Sequence, residues 1–371
     1  MLTFEGSYNN NHLSDNNTVK KMADKIEGKC LEMCPKSEIL ERERHKRLSI
    51  FEIARGTEYD KVPKANHEAC LKEFVRPAAG CQIDIMKLRP PYVLQRCVNY
   101  LISNVIAKDK HNRSWTDVYS FVSDRIRAIR QELVIQRADE KVAVDILKKA
   151  VRFHIVIMEE LKNEGTFKRD DSIQQLHSSI FTLLEHVKKE SMNCFEIRVY
   201  YMLLNFHKKL LIEDMLIQLL ESHSSIPRGR ADIIKFITEN RFLFNYYRFF
   251  KVFEKLPYIS SCCLITNLNF LRKKALEVIY KGYKAKNSKI PVSVINEWLM
   301  FDTVEEAKAF CICNQIHTED GYVFTNGTMA FGKADTDWDG NETSWRLLGA
   351  KRLKSLEEYV AEGEESYELY G

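Results

Sequence analysis

An all-α chain, a stack of amphipathic helices ending in a small helix–helix–hairpin unit, is what the sequence predicts, and three observations predict it. Gly (14) and Pro (8) are scarce for 371 residues, whereas sheet-rich folds need both at their turns. Apolar residues recur at three- and four-residue spacing through most of the chain, which gathers them on one face of a helix. The spacing changes after Lys289, where a short strand-like stretch and an Asp320-Gly321 pair read as strand and tight turn.

Residues 1–25 are polar and Asn-rich and are expected to form a disordered arm. In GKCLEMCPKSEILERERHKRLSIFE, Pro35 suits a first helical turn, where its missing N–H costs nothing. Leu40, Leu48 and Phe51 then predict a charged helix with a thin apolar stripe. A short helix is expected from Asn66 through Phe74, stopped near Pro77. Pro90 and Pro91 punctuate the next start, whose face is Leu94, Cys97, Val98, Leu101, Ile102 and Val105. Ser114 caps a helix facing inward with Val118, Phe121, Val122, Ile126, Ile129 and Leu133. Val142, Ile146, Ala150, Phe153 and Ile157 mark another, and Asp171 opens one carrying Ile173, Leu176, Ile180 and Leu183.

From Phe195 to Tyr280 the helices are denser and more aromatic, most of all in RFLFNYYRFFKVFEKLPY. Similar lengths and short connections suggest a helical-repeat stack without a strict sequence period. Beyond Lys289 the order is a short strand, a helix over 292–300, a helix capped by Asp302 or Thr303, and a hairpin through Tyr322, Val323 and Phe324. That order is the winged-helix pattern. The end carries Glu357, Glu358, Glu362, Glu364, Glu365 and Glu368 and is expected to be a solvated, disordered acidic tail. The chain thus divides into an arm (1–25), N-terminal helices (26–165), a helical repeat stack (166–287), a winged helix (288–327) and the tail (328–371).

The net charge of +4 is nearly balanced, so any nucleic-acid contact must lie in a local patch. No opening apolar run marks a secretory signal, and the ten cysteines are expected to be reduced thiols. No stretch approaches the roughly 20 apolar residues of a membrane span. Phosphate loops of the GxGxxG and GxxxxGK[ST] kinds and the GxSxG elbow are missing, so an enzyme is not expected and no cofactor is implied. His154, among apolar neighbours in VRFHIVIM, reads as a hydrogen-bonded core histidine. Cys30 and Cys34 lack a second ligand pair and read as apolar anchors rather than zinc ligands. Cys311 and Cys313, two apart on a helix, point in different directions, so with His317 they do not read as a metal site either.

Two charge patterns stand out. In SDRIRAIRQELVIQR, Asp124, Arg127 and Glu132 surround Arg130 at helical spacing, and Arg152 on a later helix is a candidate partner for Asp124 or Glu132. Packed charges need partners, so this set reads as an interhelical network, with an RNA-facing arginine surface as the rival. In LRKKALEVIYKGYKAKNSK, the bases Arg272, Lys273, Lys274, Lys281, Lys284 and Lys286 face one acid, Glu277, with Tyr280 and Tyr283 interleaved. Cations beside aromatics suit phosphate contact with base stacking, and a plain solvated helix face stands beside that reading.

Three blocks resemble the Sac/GANP family: CLEMCPKSEILERERHKRLSIFE; KEFVRPAAGCQIDIMKLRPPYVLQRCVNYL; and FVSDRIRAIRQELVIQ with RFHI downstream. NEWLMFDTVEEAKAFC is similar to that family's winged helix. The resemblance implies a PCI-type helical stack, a PCI-domain partner, a small acidic protein of the Dss/Sem type, and a basic RNA platform in nuclear mRNA export. In length the chain is closer to the short animal members, for which the resemblance implies a role in centrosome duplication and mitotic progression. Phe331-Gly332 is a lone Phe-Gly pair, so nuclear-pore docking is not implied. Nucleus and cytoplasm, with centrosome or spindle as the alternative, are the expected locations.

Overall fold

The structure is a computed structural model that describes residues 26–76, 82–107, 114–187, 194–221, 228–242, 244–285, 287–325, 345–364, 367 and 369. The expected arm, residues 1–25, and Lys286 lie outside the described residues. Helices dominate, and the described strands form one three-stranded sheet.

Helix α1 (Lys36–Arg44) starts directly after Pro35, whose carbonyl accepts the Ile39 amide at 3.1 Å. It is shorter than expected: His45 ends it and Lys46 turns left-handed at φ 53°. Its inward residues are Ile39 and Arg42, while Leu40 is exposed. The helix expected over residues 66–74 is a single turn in which the Cys70 amide reaches the Asn66 carbonyl. Beyond it the chain runs extended, because carboxylates from elsewhere take its amides. Glu52 Oε1 accepts from Leu71 N at 3.0 Å, Glu38 Oε1 from Glu73 N at 2.8 Å and Asp124 Oδ2 from Phe74 N at 3.2 Å. Amides held by side chains are lost to a helical ladder.

Helix α2 (Pro91–Tyr100) has proline at its first position and runs on as a π-helical turn, Leu101–Ile106. Leu94, Cys97, Val98, Leu101, Ile102 and Val105 are all buried, as their spacing predicts. Ser114 Oγ accepts the Thr116 amide at 3.1 Å to start α3 (Trp115–Ile135). Helix α4 (Glu140–Glu160), capped by Asp139, is buried without a break from Ala150 to Met158. A helix apolar around its girth belongs at the centre, and α4 is flanked by α2, α3 and α5 (Arg169–His186).

The aromatic half comprises α6 (Phe195–Leu204), α7 (Lys209–Glu221), α8 (Arg228–Phe242), α9 (Tyr246–Phe253), α10 (Tyr258–Ile265) and α11 (Leu268–Gly282). Phe249 is its hub, with Phe206, Phe236, Phe250 and Phe253 at ring-centroid distances of 5.1 to 6.2 Å. Edge-on and offset ring pairs of this kind add about 0.5–1.5 kcal/mol each beyond their buried area.

The chain then forms β1 (Lys289–Pro291), α12 (Val292–Leu299), α13 (Val304–Cys313), β2 (Thr318–Glu319) and β3 (Tyr322–Phe324). The antiparallel order is β1-β3-β2, with Ile290 and Thr318 both opposite Val323. Asp320 and Gly321 have φ of 49° and 77°, the pair of positive values a tight hairpin turn requires. Thr303, not Asp302, caps α13, its hydroxyl accepting the Glu306 amide at 3.1 Å. Helix α12 stops at Leu299 because Met300 is left-handed at φ 54°.

Over residues 345–364, 367 and 369 the expected solvated tail is overturned, and the rest of residues 328–371 lies outside the described residues. Helices α14 (Trp345–Lys351) and α15 (Leu356–Glu362) lie against α10 and α4, and Leu356, Tyr359, Val360, Tyr367 and Leu369 are buried. Charge count misleads here because the acids alternate with these anchors. Lys351 Nζ donates to the Phe253 carbonyl at 2.6 Å and to Ser261 Oγ at 2.7 Å. The Glu364 carboxylate accepts the Ile259 amide and, at 3.2 Å, the Ser260 amide, capping α10. Gly363, at φ 77°, passes so close over Arg152 and Glu196 that any Cβ would collide with both. No described helix is long and apolar enough to cross a membrane.

Candidate nucleic-acid interface and the buried ion networks

Helix α11 shows its solvent side at Phe270, Lys273, Lys274, Glu277, Val278 and Lys281, the three- and four-residue spacing of one face. Lys273 and Lys274 are half-buried, and Lys281 and Lys284 are exposed. Lys274 Nζ stands 4.8 Å from the Phe270 ring centroid. Tyr283 is 47% exposed, with its ring 5.9 Å from that of Trp298, and Tyr246 approaches the same indole at 6.1 Å. Lys289 Nζ lies over the Tyr322 ring at 4.3 Å, so β1 and β3 continue the alternation of cations and rings. Trp298, Tyr246 and Tyr322 are distant in sequence, and no local signal joins them to the basic run.

Two members of that run turn inward. Arg272 is 0% exposed. Its Nε donates to the Leu299 carbonyl at 2.9 Å, Nη2 donates to the Met300 carbonyl, and the guanidinium lies 3.9 Å over Phe301. Arg272 is therefore not a phosphate contact but a cap on the C-terminus of α12, where a cation suits the helix dipole. Burial pushes its pKa down to about 9. Tyr280 is buried as well and offers no stacking face.

The expected single network around Arg130 resolves into separate ones. Among the described residues Arg130 bonds no carboxylate: it donates to the Gln175 carbonyl at 3.2 Å, Gln175 Oε1 at 3.2 Å and Ser179 Oγ at 3.1 Å. Arg127 lies with its guanidinium 4.0 Å over Phe74. Asp124 pairs with Arg125. Glu132 instead receives Arg89 Nε at 3.0 Å and Lys72 Nζ at 2.7 Å. Arg152 pairs with Glu196 at 2.6 Å and donates to the Ala361 carbonyl at 3.0 Å, tying the C-terminal segment to α4. Helical spacing places these charges near one another on α3, but their partners come largely from elsewhere: residues 72 and 89 for Glu132, α5 for Arg130 and α6 for Arg152.

A second buried cluster went unsuspected. Glu52 accepts Arg42 at 2.7 Å and Arg125 at 3.2 Å, while Gln136 Nε2 donates to the Arg89 carbonyl at 2.7 Å and its Oε1 accepts the Gly28 amide at 2.9 Å. These groups fasten residues 28–76 and 82–89 onto α3. Cys34 and Cys70 pack with Ile39 and Ala65, and Arg42 donates to the Cys34 sulfur at 3.1 Å. Burial pushes the Cys34 thiol up, consistent with an apolar anchor. His154 is fully buried, but neither ring nitrogen finds a partner among the described residues, so the hydrogen bond expected of it is not made. Burial, and then Arg130, push its pKa down to about 3. Cys311 is buried, whereas Cys313 and His317 are exposed.

A sequence model of the SAC3/GANP family matches residues 33–320, more than half of the chain. SAC3 family protein 1 of Schizosaccharomyces pombe is 26% identical over 327 residues, covering 81% of this chain and 31% of the relative. SAC3 family protein B of Arabidopsis thaliana is 27% identical over 293 residues, covering 74% and 17%. Protein THP3 of Saccharomyces cerevisiae is 25% identical over 298 residues, covering 78% and 56%. The chain spans less than two thirds of the length of each of these relatives. With the match running from the Cys34 anchor to the turn of the hairpin, the chain belongs to the SAC3/GANP family.

Proposed function

We propose that this chain is a non-catalytic scaffold subunit of a nuclear mRNA-export or related mRNA complex. In this reading α6–α11 is a PCI-type body, the unit from β1 to β3 is its winged helix, and RNA lies along α11 and that unit. A PCI-domain partner and a small acidic protein dock on the same half of the molecule. The observation that carries the reading is the strip of Lys273, Lys274, Lys281, Lys284 and Lys289 interleaved with Phe270, Tyr283 and Tyr322. Cations at this spacing take phosphates, and half-exposed rings take bases.

The test is fluorescence polarisation with labelled oligouridylate across a salt series. Lys281→Glu with Lys284→Glu is expected to weaken binding at every salt concentration and flatten its salt dependence. Unchanged affinity at low salt would remove RNA from this face.

A protein-only role at centrosome or spindle is the second reading. Exposed Phe270 and Val278 between the lysines favour it, since apolar surface is better covered by protein than by phosphate. Capture of the tagged chain with and without ribonuclease separates the two. A PCI partner with ribonuclease-sensitive RNA proteins supports the first reading, and spindle or centrosome proteins indifferent to ribonuclease support the second.

A further inference from the structure

A groove of about 990 Å³ opens between α1, the extended residues 72–76, residues 82–88 and α3, with Thr182 of α5 at one end. Its rim is apolar: Val75 is 65% exposed, Ile83 46% and Val134 48%. Five carboxylates line it, and each already has a base. Glu38 meets Arg42 at 3.7 Å, Glu41 meets Arg47 at 2.9 Å, Glu73 meets Arg47 at 3.5 Å, Asp84 meets Lys87 at 3.8 Å and Glu132 meets Lys72 at 2.7 Å.

Among the described residues three lining cations have no carboxylate partner: Arg76, exposed at the rim, and Arg127 and Arg130 on α3. Arg130 donates, among the described residues, to neutral acceptors alone, and Arg127 stacks on Phe74 with a buried Nε that finds no hydrogen-bond partner there. Among the described residues neither has a carboxylate within ion-pair distance. They stand one helical turn apart on α3, and each charge raises the cost of the other. Burial, then Arg127, pull the Arg130 pKa down to about 10.

We propose that this groove docks an acidic linear segment of a partner protein, with carboxylates on Arg127 and Arg130 and aliphatic side chains against Val75, Ile83 and Val134. An incoming carboxylate neutralises the arginine pair and completes bidentate hydrogen bonding where the site is sheltered from water. RNA fits worse, because the five lining carboxylates would repel a polyphosphate along its length, whereas a peptide can place its acids only where the arginines are. The inference does not rest on the RNA reading of α11.

The test uses the full chain and three fluorescein-labelled probes: a short peptide of Glu and Leu, its counterpart with Lys for Glu, and oligouridylate. The acidic peptide is expected to bind at least about tenfold more tightly than the basic one. Arg127→Ala should abolish that preference, and Val134→Ser should weaken binding of the acidic peptide, each leaving the melting temperature in place. Lys281→Glu with Lys284→Glu should leave it intact. Equal binding of the two peptides, indifference to Arg127→Ala, or displacement of the acidic peptide by oligouridylate would overturn the proposal. So would peptide binding that requires removal of residues 1–25, which would assign the groove to the chain's own arm.

Discussion

His154 and Arg272 are both buried polar side chains, but they store their charge differently. The imidazole sits neutral inside α4 with its pKa down at about 3, against an ordinary value of 6.5. Below the ordinary value the unfolded chain binds a proton that the folded chain refuses, so stability is complete above that value and falls as pH falls towards the folded one. Between pH 6.5 and 5 this amounts to about 2 kcal/mol, at about 1.4 kcal/mol per pH unit. Urea denaturation should show that component of the acid loss in the native chain and not in His154→Leu, whose side chain leaves no nitrogen unpartnered. Arg272 keeps its charge and aims it at two carbonyls ending α12. Arg272→Ala orphans those acceptors and should cost about 2 kcal/mol, seen as faster amide exchange in α12, while Lys281→Ala stays within about 0.5 kcal/mol.

The N-terminal segment and the C-terminal strap are elements held by polar groups as much as by apolar ones. Residues 28–76 and 82–89 lie on α3 through Glu52, Arg42, Arg125, Arg89, Glu132 and Gln136. Removing one charge from a buried cluster leaves its partners uncompensated. Glu52→Gln should therefore cost about 3 kcal/mol and expose the Leu71 amide to exchange first, because Glu52 is its acceptor. In the strap, burial raises the Glu364 pKa to about 7 from 4.5, with hydrogen bonds from Ser260 and Ile259 opposing and Glu196 adding to the rise. Lys351, from the strap's other end, Arg152 beneath it and Arg352, which pairs with Glu160 of α4, are cations of this layer. A raised carboxyl favours the fold in its protonated form, so the strap grips fully below pH 4.5 and loosens as pH rises through about 7. Protection of the amides in Leu356–Glu362, corrected for intrinsic exchange, should fall from pH 6 to pH 8 in the native chain and change less in Glu364→Gln.

Across the whole molecule the strap joins the two halves, binding α4 through Arg152 and the ends of α9 and α10 through Lys351 and Glu364. Truncation at residue 345 should lower the melting temperature by roughly 5–10 °C and leave oligouridylate affinity unchanged, because the contacts described for the strap are mainly with α4, α9 and α10. A gain in RNA affinity on truncation would instead make the tail a competitor for the basic face. The all-α class, the apolar faces of α2 to α5, the Ser114 cap and the Asp320-Gly321 turn were all legible, since each is set by residues within a few positions of one another. The Sac/GANP motifs were legible for the same reason. The inward turn of Arg272, the transfer of Glu132 from Arg130 to Arg89 and Lys72, the extended course of residues 71–76 and the docking of the tail were not. In each of these a side chain satisfies a group far away along the chain, and no local spacing encodes that partner. Helical period determines which face of a helix is apolar, but a buried charge takes whichever carboxylate, carbonyl or hydroxyl lies nearest in space, and only the tertiary structure decides which residue that is.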